Sequence, residues 1–321
     1  MHSQPLTVPE NVLFRMRSSS RHENFWLITA FVILWNSGFI GAEYGLPYAG
    51  TFTLMFYRYL ALTVLIFIYL NARNSFHPVA WRNAWPQMLI GVLAHGVWLS
   101  CVLIAIDYGV PVGIVALVVA LQPLATGALS GVVVGEPTPW NRWVGLSIGF
   151  TGVAVPVVSR VDFSDSYEVF AWFIPLGSVI AITAASLFQR RISLGKDWVE
   201  IPRGLSLFYQ SLATTLAVSV PAVLGENLSV DWNPVFISAL VWLVTGVSLG
   251  AYALMWILID RIDATRVASL FYLGPPVTML MAWAAFGDEV QIVDLTGLAL
   301  VFAGVFLTYL KFPSWSNRKR K

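Results

Sequence analysis

The sequence predicts an all-α integral membrane protein, ten transmembrane helices in two inverted five-helix repeats, on three observations. Ten apolar runs are each long enough to cross a bilayer, Lys and Arg are confined to alternate connections with few exceptions, and the two halves match weakly at an offset of 153 residues. Composition agrees. Of the 321 residues, 57% are hydrophobic and 11% charged, where soluble domains carry about 25% charge. So few polar side chains cannot clothe a solvated surface, which excludes a soluble enzyme, a nucleic-acid-binding protein and a disordered chain. The single cysteine, Cys101, leaves no material for an intrachain disulfide or a cysteine metal cage, and four histidines do not make a His-rich metal site. No cofactor and no metal are expected.

A helix rising about 1.5 Å per residue needs about 20 apolar residues to cross the hydrocarbon layer. Such runs, bounded by polar or Pro/Gly punctuation, fall at 25–46, 52–71, 85–106, 112–134, 141–159, 168–188, 204–224, 235–259, 266–286 and 292–311. Connections are short, the longest being 189–203, and no extramembranous domain fits between spans. The first run follows a polar stretch, 1–24, that carries Arg15, Arg17 and Arg21. It is too long for the apolar core of a signal peptide and no small-x-small cleavage pattern follows, so it is retained as a span. Residues 1–20 are expected to form a mobile tail. The organisation is therefore an N-terminal tail (1–24), a first repeat (25–159), a second repeat (160–311) and a basic C-terminal tail (312–321).

Basic residues favour the cytoplasmic side of a membrane. With the N-terminus inside, all but two of the 19 Lys and Arg fall on inner segments, from Arg15 to the Arg318–Lys321 run. Arg160 falls outside and Arg58 within a span. The outer connections are acidic: Asp107, Asp162, Asp165, Glu168, Glu226, Asp231, Asp288 and Glu289. An even number of spans puts both termini in the cytoplasm of a multi-pass cell-membrane protein, the inner membrane if the cell is Gram-negative.

At the 153-residue offset, Ile104, Ile106 and Asp107 fall on Ile257, Ile259 and Asp260, Leu117 on Leu270, Pro123 on Pro276 and Glu136 on Glu289. With a one-residue slip, Gly145 and Gly152 fall on Gly297 and Gly304. Five spans per half is odd, so the second half enters the membrane upside down, the plan of many secondary transporters. The motifs then carry a resemblance. Trp35–Ala49 (WNSGFIGAEYGLPYA) with Arg58 in the next span, LQPL at Leu121–Leu124, GEP at Gly135–Pro137 and WVGLSIGFTGV at Trp143–Val153 resemble the first repeat of the EamA family of the drug/metabolite transporter superfamily. FQRR at Phe188–Arg191, GPPV at Gly274–Val277 and GDE at Gly287–Glu289 resemble its second repeat. The resemblance covers nearly all of 25–311. It implies ten helices and export of small polar metabolites, amino acids or drugs around a cavity lined by spans 1, 3, 4, 6, 8 and 9. Glu43 departs from the pattern, standing where relatives commonly carry a basic residue.

Pro123 and the Pro275–Pro276 pair interrupt spans 4 and 9 at matching places. Each proline removes a helical N–H and frees the carbonyl four residues earlier, here Val119, Phe271 and Tyr272. Broken helices face protein or a watery cavity, so these prolines are candidate gating kinks beside a binding site, a packing kink being the plainer reading. Gln122 either bonds a substrate or satisfies a neighbouring helix. Glu43 and Arg58, about 6 Å and 11 Å below the turn at Pro47–Gly50, are expected to form an ion pair, either a structural clamp or a proton-coupling pair. His95 is mid-span with no metal partner one turn away; Trp98 lies beside it, and Ser248 and Tyr252 occupy the matching region of the second repeat. Trp35, Asn36 and Ser37 in span 1, Thr183 and Ser186 in span 6, and Trp256 and Tyr272 in spans 8 and 9 complete the candidate substrate cavity, with apolar walls and a few polar groups. Trp26, Trp81, Trp140, Trp143 and Trp315 are expected in the interfacial belts. Gly127, Gly131 and Gly135, Gly145 and Gly149, and Ala299 and Ala303 have the spacing that lets helices approach closely, within a monomer or across a homodimer.

A secondary transporter exporting a small solute, such as an amino acid, by alternating access is the preferred function. A lipid flippase or a non-catalytic subunit on the same scaffold is the alternative. A membrane enzyme is disfavoured by the lack of HExxH, paired intramembrane aspartates or a second intramembrane histidine, and no GxxxxGK[ST] exists for ATP hydrolysis. The expected partners are a small-molecule substrate and the bilayer, with no nucleic acid.

Overall fold

Backbone N–H and C=O groups inside hydrocarbon need internal partners, and this chain satisfies them with helices. The structure, a computed structural model, describes residues 10–309 apart from 136–138, 162–163, 165, 196–198, 200 and 263, and gives backbone alone for 10–22, 166–168, 264–265 and 309. Expectations placed on Glu136, Pro137, Asp162, Asp165, Lys196, Lys311, Trp315 and Arg318–Lys321 lie outside the described residues. The helices are α1 (Glu10–Gly45), α2 (Thr51–Ala72), α3 (Trp81–Asp107), α4 (Val112–Val134), α5 (Trp140–Arg160), α6 (Ser166–Ser193), α7 (Arg203–Leu224), α8 (Pro234–Ile262), α9 (Arg266–Phe286) and α10 (Ile292–Tyr309). Among the described residues nine are long and apolar enough to cross a membrane, and α10 supplies a shorter apolar helix over Ile292–Thr308. The described part of the N-terminal segment is helical, its backbone running into α1 from Glu10, and no proline or glycine interrupts the chain between Glu10 and Gly38.

The two repeats are legible in the packing. α2 packs on α7, α4 on α9 and α5 on α10, while α1 packs on α8 and α9 as α6 packs on α3 and α4. Repeat-equivalent positions also share local distortions. α4 is helical over Val112–Val119, breaks at Ala120–Leu121 and resumes over Gln122–Val134; α9 is broken by a 3₁₀ turn over Phe271–Leu273 before Gly274–Phe286. In both, a proline sits in the first turn of the second half-helix, where its missing N–H costs nothing. Those half-helices end on Gly135 (φ 81°) and Gly287 (φ 78°), left-handed caps that suit glycine. α3 and α8 each contain a π-helical stretch, Val92–Val97 and Trp242–Ala251.

The α5–α10 pair is the tightest seam. A Cβ added at Gly145 would stand 2.5 Å from the Gly304 carbonyl oxygen, and one at Gly152 would stand 2.6 Å from that of Gly297. These crossed pairs are what antiparallel packing of equivalent helices requires. Helix ends reinforce the seam. Asn141 Nδ2 donates to the Leu307 and Thr308 carbonyls (3.0 and 3.2 Å). Asp294, one 153-residue offset from Asn141, ion-pairs with Arg160 at the opposite end. Arg160, the one basic residue assigned to an outer connection, thus has a partner on α10. Gly145 of the expected GxxxG is consumed inside one chain, and Gly149 packs against Leu124 and Leu121 of α4. Gly127 has a different use, its carbonyl accepting from Arg142 Nη1 at 3.2 Å. Trp26, Trp81, Trp140 and Trp143 are exposed, as a lipid-facing belt requires.

Because backbone faces backbone at this seam, Gly152→Leu has nowhere to relax. Overpacking is expected to cost at least about 1–3 kcal/mol, read as a lowered Tm of the detergent-solubilised protein, whereas Ser147→Leu on the exposed face of the same helix is expected to leave Tm nearly unchanged.

Candidate functional site

The breaks in α4 and α9 open onto a cavity of about 950 Å³ between the repeats. α1 contributes Trp35, Asn36 and Phe39 to its wall; α3 contributes Gln87, His95 and Trp98; α4 contributes Gln122 and Pro123. α8 adds Tyr252 and Trp256, and α9 adds Phe271, Gly274 and Pro275. α6 and α7 extend it to one end of the bundle with Gln189, Arg190, Arg203, Ser206 and Gln210. Among the described residues no aspartate or glutamate lines it. The expected set of lining spans therefore gains α7.

Most of the polar wall is one hydrogen-bonded chain. Gln210 Nε2 donates to Gln87 Oε1 at 2.8 Å. Gln210 Oε1 is 3.2 Å from His95 Nε2, and His95 Nδ1 is 3.3 Å from the Tyr252 hydroxyl. An amide oxygen only accepts, so His95 carries a proton on Nε2, and in the neutral ring Nδ1 then accepts from Tyr252. The neutral ring is satisfied on both sides. Thr214 Oγ1, one turn from Gln210, donates to the Gly91 carbonyl at the edge of the π-helical stretch (3.0 Å). The apolar wall is stacked: Trp35 lies 4.9 Å from Phe271 and 5.3 Å from Tyr252, centroid to centroid. Asn36 is held by its own helix, Nδ2 donating to the Val32 carbonyl, while Oδ1 accepts from Thr278 (2.7 and 3.1 Å).

Other predicted residues lie elsewhere. Thr183 is buried with no partner for its hydroxyl among the described residues. Ser186 donates to the Ile182 carbonyl, and Ser37 accepts from Trp242 Nε1 at 3.0 Å. Tyr272 packs against the main core, and Pro276 is not part of the cavity wall; its neighbour Pro275 is. Glu43 and Arg58 do not pair. Arg58, 7% exposed, donates from Nε to Ser248 Oγ at 3.1 Å and lies 5.7 Å from the Tyr59 ring centre. Glu43 has one carboxylate oxygen buried without a partner among the described residues and feels the like charge of Asp288. The helical phase decides this: Arg58 turns inward to α8, while Glu43 turns to the α9–α10 connection. Asp288, outside the spans, is raised from the usual carboxylate range by burial, with the nearby Arg160 guanidinium opposing. Among the described residues no cluster of His, Cys, Asp or Glu could hold a metal.

Sequence reasoning missed Gln87 and Gln210, although lone amides inside apolar spans are a usable signal. It also missed the π-helical stretches, which carry His95 and Ser248 and have no sequence signature; such distortions recur at functional sites.

At the end of the bundle away from Arg190 and Arg203 the helices are tied shut. Glu226 accepts from the Phe52 and Thr53 amides (3.1 and 2.7 Å), capping α2. Beside it Ala49 and Val230 form a β-bridge, with Asp231 N–H on the Tyr48 carbonyl at 2.8 Å.

Against this geometry, the family model described as "EamA-like transporter family" matches residues 23–158 and again 176–310. The chain belongs to the EamA-like transporter family. The double match is the two-repeat architecture, and the family is one of multi-pass membrane transporters. Relatives of this EamA-like protein include the "Uncharacterized transporter YvbV" of Bacillus subtilis, 23% identical over 89% of this chain and 91% of its own length. Another is the "Probable amino-acid metabolite efflux pump" of Salmonella typhimurium, 22% identical over 91% of this chain and 96% of its own. A crystal structure with 18% identity covers 94% of this chain and 99% of its own with a TM-score of 0.60, a likeness of fold.

His95→Phe keeps an aromatic ring but strands the Tyr252 hydroxyl and the Gln210 oxygen. A loss of about 1–3 kcal/mol is expected, and Tyr252→Phe is expected to recover part of it. The checking measurement is a double-mutant cycle on Tm, with additive losses counting against a coupled pair.

Proposed function

We propose that this protein is a secondary exporter of small metabolites such as amino acids, acting by alternating access around the central cavity. One observation carries the reading: the cavity lies between the repeats, at the interruptions of both broken helices, and its described lining residues reach the end of the bundle that holds Arg190 and Arg203. Paired interrupted helices at a repeat interface are where transporters of this architecture bind their substrates. The lining suits a partly apolar solute, with stacked aromatics for its body and Gln122 and Trp98 for its polar groups. The efflux pump of Salmonella typhimurium bears a name of the same class.

Orientation follows from charge. With both termini cytoplasmic, as the Lys and Arg distribution favours, the mouth at Arg190 and Arg203 opens to the cytoplasm of an inner or plasma membrane. The end held by Glu226 is then the closed outer gate. This is the loading state of an exporter. Arg203 and Asp260 join α7 to α8 across the mouth by a bidentate pair (2.8 and 2.9 Å) that is half exposed. Exposed pairs contribute about 0–1 kcal/mol, which suits a contact made and broken each cycle.

Proteoliposomes are expected to take up labelled amino acids saturably and above empty vesicles; no uptake from the pooled amino acids would remove the amino-acid reading. A rate indifferent to a proton gradient identifies a facilitator. A gradient-enhanced rate directs attention to Glu43, and Glu43→Gln should then flatten the pH profile. For the gate, Glu226→Gln weakens the cap on α2. In a Cys101→Ser, Phe39→Cys background it is expected to speed labelling by an impermeant maleimide from the outer side several-fold; an unchanged rate would show that Glu226 does not hold the gate.

A further inference from the structure

Resting on the reading above, we propose that Arg58 and Trp98 form a carboxylate subsite at the inner end of the cavity, so that the substrate is a carboxylate-bearing molecule and not a cation. A second, small cavity of about 40 Å³ continues the main one past its aromatic wall. The two share Trp35, Phe39, His95, Trp98 and Tyr252, and the small one adds Arg58. A volume of this size holds a few waters or one carboxylate, not a whole solute.

Arg58 and Trp98, which face it, keep donors that find no acceptor among the described residues. Arg58 is buried and spends Nε on Ser248. Neither a carboxylate nor a carbonyl takes its two Nη groups among the described residues, and Glu43 is turned elsewhere. Trp98 Nε1 is buried with no partner among the described residues. His95 Nδ1, the one ring acceptor nearby, is occupied by Tyr252. A buried guanidinium normally carries a paired anion, and its planar fork matches a carboxylate with two parallel bonds. A carboxylate in the small cavity would meet that fork and the indole N–H together, while the body of the substrate lay against Trp35, Tyr252 and Trp256. The other charges on the cavity wall, Arg190 and Arg203, are also positive. Past the Arg203–Asp260 pair at the mouth, a cationic solute would therefore find no counter-charge among the described lining residues.

The test is calorimetric titration of the full-length protein in detergent with L-phenylalanine, L-leucine and L-threonine, each against its amide, which keeps the body and removes the carboxylate. At least one acid is expected to bind tenfold or more tightly than its amide. Arg58→Gln, which keeps a donor for Ser248, should abolish that preference without weakening the amide; Arg58→Lys should retain part of it, and Trp98→Phe should reduce it several-fold. Amides binding as well as acids to the unmodified protein would overturn the carboxylate subsite and leave the amino-acid transporter standing. An acid preference surviving Arg58→Gln would overturn the assignment to Arg58. No binding by any acid or amide would instead count against the amino-acid reading, and the subsite falls with it. Should Arg58→Gln not fold, the acid–amide comparison on the unmodified protein and on Trp98→Phe decides alone.

Discussion

Lipid offers no hydrogen bonds, and the rest of this structure depends on that constraint. A helix crossing hydrocarbon must satisfy its own backbone, so an interruption survives only against protein or water. The chain interrupts two crossings, at Ala120–Leu121 and Phe271–Leu273. Both breaks open onto the same central cavity, and the prolines beside them occupy the first turn of a new half-helix. Proline thereby becomes compatible with a transmembrane helix, and the exposed helix starts point their positive ends inward.

A cavity of this size inside a bundle needs a rigid frame elsewhere. The α5–α10 seam supplies it. With Gly145 against Gly304 and Gly152 against Gly297, the helices touch backbone to backbone, and the contact gains dispersion energy that lipid-facing surfaces cannot. Asn141 and the Arg160–Asp294 pair tie its two ends. Around the cavity the ties between helices are few and local among the described residues: the Glu226 cap at one end and the exposed Arg203–Asp260 pair at the other.

Charge is arranged on the same principle. Most ionisable groups sit at helix ends; Arg58 is the conspicuous exception, deep and close to the His95–Tyr252 pair. Its incomplete coordination by Ser248 and the Tyr59 ring makes it a standing electrostatic feature of the cavity. The satisfied chain from Gln87 to Tyr252 is the opposite case. Every member of that chain has its partner, so it shapes the wall and orients His95 without seeking a ligand.

Hydropathy, charge placement and spacing by themselves determined the helices, the repeat and the kinks. Burial in a bilayer is a local property of each 20-residue run, and Pro123, Pro275 and the glycines of α5 and α10 act through their own backbone. The same local logic found Trp35, His95, Trp98, Tyr252 and Trp256 as polar or aromatic breaks in apolar runs. Only the tertiary structure decided which of these face one another. Arg58 was matched to Glu43 by depth alone, but depth says nothing about rotation around the helix axis, and a turn of the helix brings Arg58 to Ser248 instead. Gln210 enters the site from α7, a span with no motif, because π-helical geometry in α3 aims His95 toward it. Those pairings are set by helix phase and packing between residues more than 100 apart in sequence, and no local pattern encodes them.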